Sequence, residues 1–85
     1  MVKIQYVITD ELGIHARPAG RLVRQAKEFE SVVQIGTPEK MVDAKKVMGV
    51  MTLGLKQGDT LTMSFEGTDE EAAAKQLKIF LEENM

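Results

Sequence analysis

The sequence predicts an α+β fold, a two-layer open-faced sandwich in which helices cover one face of an antiparallel sheet. Three observations support this fold class: segments that alternate polar and apolar residues, segments with the apolar period of a helix, and short turns between them. Alternating strands and amphipathic helices each offer a single apolar face. Packing one layer against the other buries all of these faces. The predicted order of elements is β-α-β-β-α-β-α.

The first half of the chain is predicted to contain a strand, a helix and a hairpin. Residues 2–9 alternate in polarity, which is typical of a half-buried strand. After a loop at residues 10–14, apolar side chains recur at helical spacing to about Glu28. Residues 32–36 are rich in β-branched side chains, and residues 41–43 return after a short turn, so these two segments are predicted to form the hairpin.

A short helix and a fourth strand follow. Residues 45–53 are predicted to be helical, with Gly54 ending the helix in a left-handed conformation. Residues 60–66 alternate, so that one set of side chains points inward and the other outward. The inward set is Leu61, Met63 and Phe65, and the outward set is Thr62, Ser64 and Glu66.

The final helix has both a start signal and a clear apolar period. Thr68 and Glu71 match a capping box, in which each side chain accepts a hydrogen bond from the other residue's backbone N–H. The buried face of this helix is predicted to consist of Ala73, Leu77, Phe80 and Leu81.

Length and composition limit the classes to which this chain can belong. Its 85 residues predict a single domain spanning residues 1–85, and a net charge of −2 with 5% aromatic residues argues against a nucleic-acid partner. No apolar run approaches the ~20 residues of a membrane span, and no signal peptide begins the chain. With no cysteine and one histidine, a metal site is not expected. We therefore expect a cytoplasmic protein without a cofactor of its own and without membrane insertion.

The junction between the first loop and the first helix is the candidate functional site. It holds the only histidine, His15, between Gly13 and Pro18, and proline fits the first turn of a helix. His15 is therefore predicted to lie at or just before the helix N-terminus. There the free backbone N–H groups of Ala16 and Arg17, together with the helix dipole, favour an anion.

These groups suit an imidazole nitrogen that becomes phosphorylated. The N–H groups would bind the added negative charge, and Arg17 could add a bidentate contact to the phosphate. Hydrolysis fits poorly, because the sequence offers no second base to activate water. Phosphoryl transfer needs mainly positioning and positive charge, so partner proteins would supply the remaining machinery. The alternative is that His15 is an ordinary solvated or structural histidine.

Charge is unevenly distributed along the chain. A basic stripe on the first helix begins beside His15, and the C-terminal region is rich in acidic residues. The stripe could steer an acidic partner towards His15, although both regions could also be solvated faces only. The stripe consists of Arg17, Arg21, Arg24 and Lys27.

The short helix has more apolar surface than a two-layer domain can bury. Val47, Val50 and Leu53 are predicted to form its buried stripe, with Met51 as a further candidate, while Met48 stays outside. An exposed apolar cluster usually marks a contact site, and methionine adapts to differently shaped partners. The segment is therefore predicted to dock more than one protein. The alternative is that it belongs to the core or forms a strand.

Three segments of the sequence form a recognisable set: residues 13–19 (GIHARPA), 48–54 (MGVMTLG) and 66–70 (EGTDE). Together they closely resemble the HPr family, the histidine-containing phosphocarriers of the bacterial phosphoenolpyruvate-dependent sugar phosphotransferase system. The resemblance runs the length of the chain in matching order. It implies a four-stranded antiparallel sheet covered on one side by three helices.

The resemblance also implies roles for particular residues. His15 would accept a phosphoryl group on Nδ1 from Enzyme I and pass it to an Enzyme IIA domain of a sugar permease, while Arg17 neutralises the phosphate. We expect the protein to act as a monomer. Both partners would dock on a surface formed by Val47, Met48 and Met51, with Gly20, Arg24 and Lys27 at its margin.

Two positions depart from the family pattern. Lys46 stands where family members commonly carry a serine that a kinase phosphorylates in Gram-positive members, so regulation by that route is doubtful. Leu12 stands where a small polar residue is usual near the histidine. These departures keep a second hypothesis open, in which the chain is a regulatory module whose phosphorylation controls binding to a non-transport target. A small ligand-binding domain with an incidental histidine is a third hypothesis.

Overall fold

The computed structural model, which describes residues 1–85, contains four strands and three helices. The strands are β1 (Val2–Val7), β2 (Val32–Thr37), β3 (Lys40–Asp43) and β4 (Thr60–Glu66). The helices are α1 (Ala16–Ala26), α2 (Val47–Met51) and α3 (Glu70–Asn84). The strands form one antiparallel sheet in the order β1-β4-β2-β3, and the predicted open-faced sandwich is confirmed.

Strand β4 lies in the middle of the sheet and has the predicted bounds. Its Met63 is paired with Ile4 of β1 on one side and with Ile35 of β2 on the other. Met63, Leu61 and Phe65 are fully buried, as predicted for the inward set. Because the core is centred on this strand, its apolar side chains meet residues from both neighbouring strands and from the helical layer.

The outward set of β4 lies on the outer face of the sheet, as predicted, but two of its members are nearly buried. Thr62 and Ser64 border a depression on the outer face of the sheet, yet they are only 9% and 7% exposed. The reason is their central position, because Ser64 lies between Lys3 of β1 and Gln34 of β2. Longer side chains on flanking strands shield short ones on a central strand, so alternation in polarity did not reveal this burial.

Helix α1 buries one stripe and ends earlier than predicted. After Ala26 the backbone continues in tighter turns, in which Glu28 and Phe29 donate hydrogen bonds to carbonyls three residues earlier. Residues 27 and 28 therefore follow the helix instead of forming its last turn. The buried stripe consists of Pro18, Ala19, Leu22, Val23 and Ala26.

Helix α2 is shorter than predicted, and its buried stripe is smaller. Val50 is its only buried residue, whereas Val47 and Met51 remain exposed, so the prediction that Val47 faces the core is wrong. A helix of five residues makes little more than one turn, which lets only one position face the core. Gly54 adopts the left-handed conformation predicted for it, with φ of 64°.

The predicted capping box of α3 is wrong, because Asp69 and not Thr68 is the N-cap residue. The Asp69 carboxylate points away from the helix and accepts hydrogen bonds from the backbone N–H groups of Glu30 and Ser31, both at 2.9 Å, and from the Ser31 hydroxyl. Glu70 instead accepts a hydrogen bond from the Gly67 N–H at 3.1 Å. The predicted buried face of α3 is confirmed.

Glycine is required at position 67 by the close approach of two segments. Its φ is 155°, and a Cβ atom there would lie 2.7 Å from the Cα of Ser31. This approach lets Asp69 reach across to the residues before β2. The Ser31–Asp69 pair therefore joins the connection between α1 and β2 to the start of α3.

These hydrogen bonds make the stability depend on pH. The Ser31 hydroxyl, followed by the Glu30 N–H, lowers the pKa of Asp69 below its ordinary value, and the Gly67 N–H lowers the pKa of Glu70. A carboxyl group whose pKa is lowered by folding stabilises the folded protein fully at a pH above its ordinary pKa of about 3.9. This stabilisation is lost as the pH falls through the pKa of the folded state.

We expect Asp69→Asn to lower the melting temperature near neutral pH by several degrees. The asparagine NH₂ group is a donor, and it would replace either the carboxylate oxygen that accepts the Glu30 N–H or the one that accepts the Ser31 N–H and hydroxyl. The difference from the unsubstituted protein should shrink in acid, where Asp69 itself becomes protonated. Glu71→Gln is the control, since Glu71 carries the same charge at an exposed position of the same helix start. A loss of melting temperature in Asp69→Asn that is the same at every pH would contradict this prediction.

None of the three helices combines the length and the apolar character that spanning a membrane requires.

Candidate functional site

His15 is the N-cap residue of α1. Its backbone is extended, with φ of −133° and ψ of 177°, and its carbonyl accepts the first hydrogen bond of the helix from Ala19 at 3.0 Å. The side chain is 34% exposed. The structure therefore places the imidazole at a helix start, where the sequence predicts it, and leaves it accessible to another molecule.

The first turn of α1 offers backbone donors beside this ring. The N–H groups of Ala16 and Arg17 donate no hydrogen bond within the protein, and Pro18 has no N–H. Arg17 is helical even though it precedes a proline, so its N–H belongs to the helix start. Unpartnered N–H groups at a helix N-terminus carry partial positive charge and bind anions.

The loop before His15 is held by close contact with the segment after α2. Ile14 donates a hydrogen bond to the Leu55 carbonyl at 3.1 Å. Gly13 has φ of 65°, and a Cβ atom there would lie 2.4 Å from the same carbonyl oxygen, so only glycine fits. This contact fixes the direction from which the chain enters the helix and thereby the position of His15.

Asp10 lies beside His15 and was not identified from the sequence. Its Oδ2 atom is 3.6 Å from Nε2 of His15, and its Oδ1 atom accepts a hydrogen bond from the Leu12 N–H at 2.8 Å. A distance of 3.6 Å is too long for a hydrogen bond, so the carboxylate does not lock the ring. The turn in the loop, which brings the two side chains together, has no periodic signal in the sequence.

The basic stripe on α1 is free of ion pairs. Arg17, Arg21, Arg24 and Lys27 are all exposed, and none lies within ion-pair distance of a carboxylate. Their charge is therefore available to an acidic partner or to a phosphate.

The predicted docking residues lie on α1 and α2, two helices that contact each other, and at the C-terminal cap of α1. On α2, Met48 is 75% exposed and Val47 and Met51 are also exposed. Arg24 on α1 and Lys27 directly after it are exposed. Gly20 is partly buried. We call these six residues the docking patch: Gly20, Arg24, Lys27, Val47, Met48 and Met51.

The two positions that depart from the family pattern are both at the surface. Leu12 is exposed in the loop before His15. Lys46 is the N-cap residue of α2, and its side chain makes no capping hydrogen bond. A cation at a helix N-terminus opposes the helix dipole.

No depression in the surface includes His15. The three that exist lie in the groove between α1 and α3, beside Arg21 and Arg24, and on the outer face of the sheet. No group of three or more His, Cys, Asp or Glu side chains could hold a metal ion. The site is thus a single imidazole on an open surface with donors beside it.

Comparison with known proteins identifies the family of this chain. The family model described as "PTS HPr component phosphorylation site" matches residues 2–83. The Phosphocarrier protein HPr of Lysinibacillus sphaericus is 46% identical over 79 residues, which cover 93% of this chain and 90% of the relative.

Solved structures with a similar fold come from the same family and from a related protein. An HPr structure from Thermoanaerobacter tengcongensis is 40% identical, with a TM-score of 0.90, covering 96% of this chain and 92% of the other. A structure of Crh, a catabolite repression protein of Bacillus subtilis described as a domain-swapped dimer, is 33% identical with a TM-score of 0.79, covering 100% of this chain and 98% of the other. With a family model matched over nearly all residues and relatives of this similarity, the chain belongs to the HPr family of phosphocarrier proteins of the phosphotransferase system.

Proposed function

We propose that this protein carries a phosphoryl group on Nδ1 of His15 from Enzyme I to the Enzyme IIA domains of sugar permeases. The observation that carries the proposal is an accessible imidazole at the start of α1 with the unpartnered N–H groups of Ala16 and Arg17 beside it. Membership of the HPr family of the phosphotransferase system supports this choice of partners. The protein acts as a stoichiometric carrier, and the partners bring the rest of the catalytic machinery.

The carrier step conserves atoms and charge. The Nδ1 lone pair of His15 forms a bond to phosphorus while the bond to the donor atom of Enzyme I breaks, and the electron pair of that bond stays with the donor. In the second transfer, an acceptor atom of Enzyme IIA forms a bond to phosphorus while the bond between Nδ1 and phosphorus breaks, and the electron pair of that bond returns to Nδ1. The transition state is loose, so donors and positive charge near the transferred oxygens suffice.

The strength of phosphate binding suits a carrier. An exposed helix N-terminus stabilises a nearby anion by about 0.3–1 kcal/mol. A site of this strength tolerates the phosphoryl group without holding it against transfer. The Arg17 guanidinium, exposed and unpaired, adds a second positive group.

We infer that the docking patch receives both partners. Its centre is apolar, at Val47, Met48 and Met51, and its margin is basic, at Arg24 and Lys27. An apolar centre with a charged rim is typical of protein interfaces. The relay is expected to run in the cytoplasm with the protein as a monomer, and sedimentation at working concentration tests the second point against the dimer known for Crh.

A regulatory role is the second candidate function. The similarity to Crh, named as a catabolite repression protein, and the replacement of the usual serine by Lys46 favour it. In this role, phosphorylation of His15 would change the affinity for a non-transport target.

One reconstitution distinguishes the two candidates. The protein is incubated with Enzyme I and phosphoenolpyruvate, and an acid-labile phosphoryl adduct and its transfer to Enzyme IIA are measured. Adduct and transfer together support the carrier, whereas adduct without transfer supports the regulator. If no adduct forms, both proposals are wrong.

We expect Arg17→Lys to slow phosphorylation and onward transfer about three- to tenfold. Lysine keeps the charge but loses the bidentate geometry that matches phosphate. Arg21→Lys is the matched control, because Arg21 lies on the same stripe one turn further from His15 and should transfer at the normal rate. Equal slowing in both variants would show that Arg17 has no special contact with the phosphate.

A further inference from the structure

The Asp10 carboxylate is oriented by its own loop and not by His15. Oδ1 accepts the Leu12 N–H at 2.8 Å, and the backbone carbonyl of Asp10 accepts the Gly13 N–H at 2.9 Å. The Asp10 N–H donates to the Met85 carbonyl at 2.8 Å. With these contacts in place, Oδ2 points towards the imidazole at 3.6 Å from Nε2.

This orientation influences which ring nitrogen carries the proton. A neutral imidazole has one N–H and one lone pair, while an ionised carboxylate only accepts. A carboxylate oxygen facing Nε2 favours the tautomer with the proton on Nε2, in the way that a carboxylate selects the tautomer of a catalytic histidine. Nδ1 then holds the lone pair. No other carboxylate lies within ion-pair distance of the ring.

We propose that Asp10 is a positioning residue for phosphoryl transfer, which favours the proton on Nε2 of His15 so that Nδ1 is the nucleophile. The proposal rests on the proposed function and adds to it a residue of this chain's own. Asp10 acts through the imidazole ring, because its carboxylate faces Nε2 and the phosphoryl group would be carried on Nδ1.

The same proton stays in place throughout the cycle. When the Nδ1 lone pair forms the bond to phosphorus, Nε2 keeps its hydrogen and the ring becomes a cation opposite the Asp10 anion. When the bond to phosphorus breaks, the electron pair returns to Nδ1 and the ring departs as neutral imidazole. No proton moves in either direction, and the leaving group is never an anion.

The contact is strongest when the ring is charged. Hydrogen bonds at reaction centres are often long in the resting protein and tighten in the reacting complex. Because both side chains are about one-third exposed, solvent screens the pair, and its effect is about two- to fivefold.

Asp10→Asn tests the proposal with little change to the loop. Asparagine can still accept the Leu12 N–H through Oδ1, but its NH₂ group then faces Nε2 as a donor. Glu11→Gln is the matched control, because it removes the same charge from an exposed neighbour that makes no hydrogen bond. Nitrogen-15 NMR of the unphosphorylated protein, in mildly alkaline solution, measures the two tautomers directly.

We expect the ratio of the Nδ1–H to the Nε2–H tautomer to rise about two- to fivefold in Asp10→Asn, with phosphorylation by Enzyme I slowed by a similar factor. Glu11→Gln should leave both quantities unchanged. Tautomer populations that are the same in Asp10→Asn and the unsubstituted protein, or that shift equally in Glu11→Gln, overturn the proposal.

A second variant covers the case in which Asp10→Asn does not fold. Asp10→Glu retains a carboxylate beside the ring and is expected to keep the Nε2–H tautomer; a change to the Nδ1–H tautomer overturns the proposal. The NMR measurement needs no Enzyme I. If His15 is not phosphorylated, the proposed function is wrong. The tautomer measurement then still tests whether Asp10 favours the proton on Nε2.

Discussion

His15→Ala is expected to abolish the phosphoryl adduct completely and to leave the fold intact. The adduct should vanish because His15 is the only histidine and the only imidazole at the site. The fold should survive because the side chain is one-third exposed and makes no hydrogen bond. Phosphorylation with Enzyme I and phosphoenolpyruvate measures the first effect, and urea unfolding measures the second.

The loss of the adduct and the retention of the fold are tested separately. An adduct that persists in His15→Ala would place the phosphoryl group on another side chain and end the proposal for His15. A large loss of stability would show that His15 is structural, which was the alternative interpretation of a lone histidine. Arg21→Ala is a suitable control for the unfolding measurement, since it truncates another exposed side chain of α1.

Met48→Glu is expected to weaken binding to both Enzyme I and Enzyme IIA by roughly thirtyfold or more, corresponding to about 2 kcal/mol for a central interface residue. Met48 is the most exposed of the three apolar residues of the docking patch. A partner that covers it would desolvate the new carboxylate without offering a counter-charge, which is costly. Calorimetric titration with each partner measures the change.

The matched control for this prediction is Ile79→Glu. Ile79 is an apolar residue of α3 that is 46% exposed and lies outside the docking patch, so the same chemical change there should leave both affinities unchanged. If Met48→Glu binds either partner normally, the patch assignment is wrong for that partner. If Ile79→Glu weakens binding as much, net charge and not the patch explains the effect.

Sequence pattern predicted those parts of the fold that depend on neighbouring residues. Strand β4 has the predicted bounds, and the buried face of α3 has the predicted members, because a sustained period of two or 3.6 residues identifies the face that meets the core. The bounds of the short helix α2 were harder to predict from the sequence. Its flanking residues form hydrogen-bonded turns whose spacing resembles that of a helix, so the pattern overestimated its length.

Contacts outside the local pattern account for two further differences. The sequence around Thr68 satisfies the capping-box rule, yet Asp69 caps α3 while its carboxylate binds the backbone of Glu30 and Ser31, 39 and 38 residues away. The Asp10–His15 pair depends on a turn that Gly13 makes against Leu55. Local rules contain no information about a partner that far along the chain.

The strand order has a consequence for how the protein assembles as it is made. Strands β1 and β2 each pair with β4 and not with each other, and β4 begins only at Thr60. During synthesis on a ribosome, the β2–β3 hairpin can form early, but β1 waits for more than fifty residues before its partner emerges. Closure of the sheet is thus a late event that depends on the last third of the chain. Until then, the apolar side chains of β1 are exposed to other nascent chains and to chaperones.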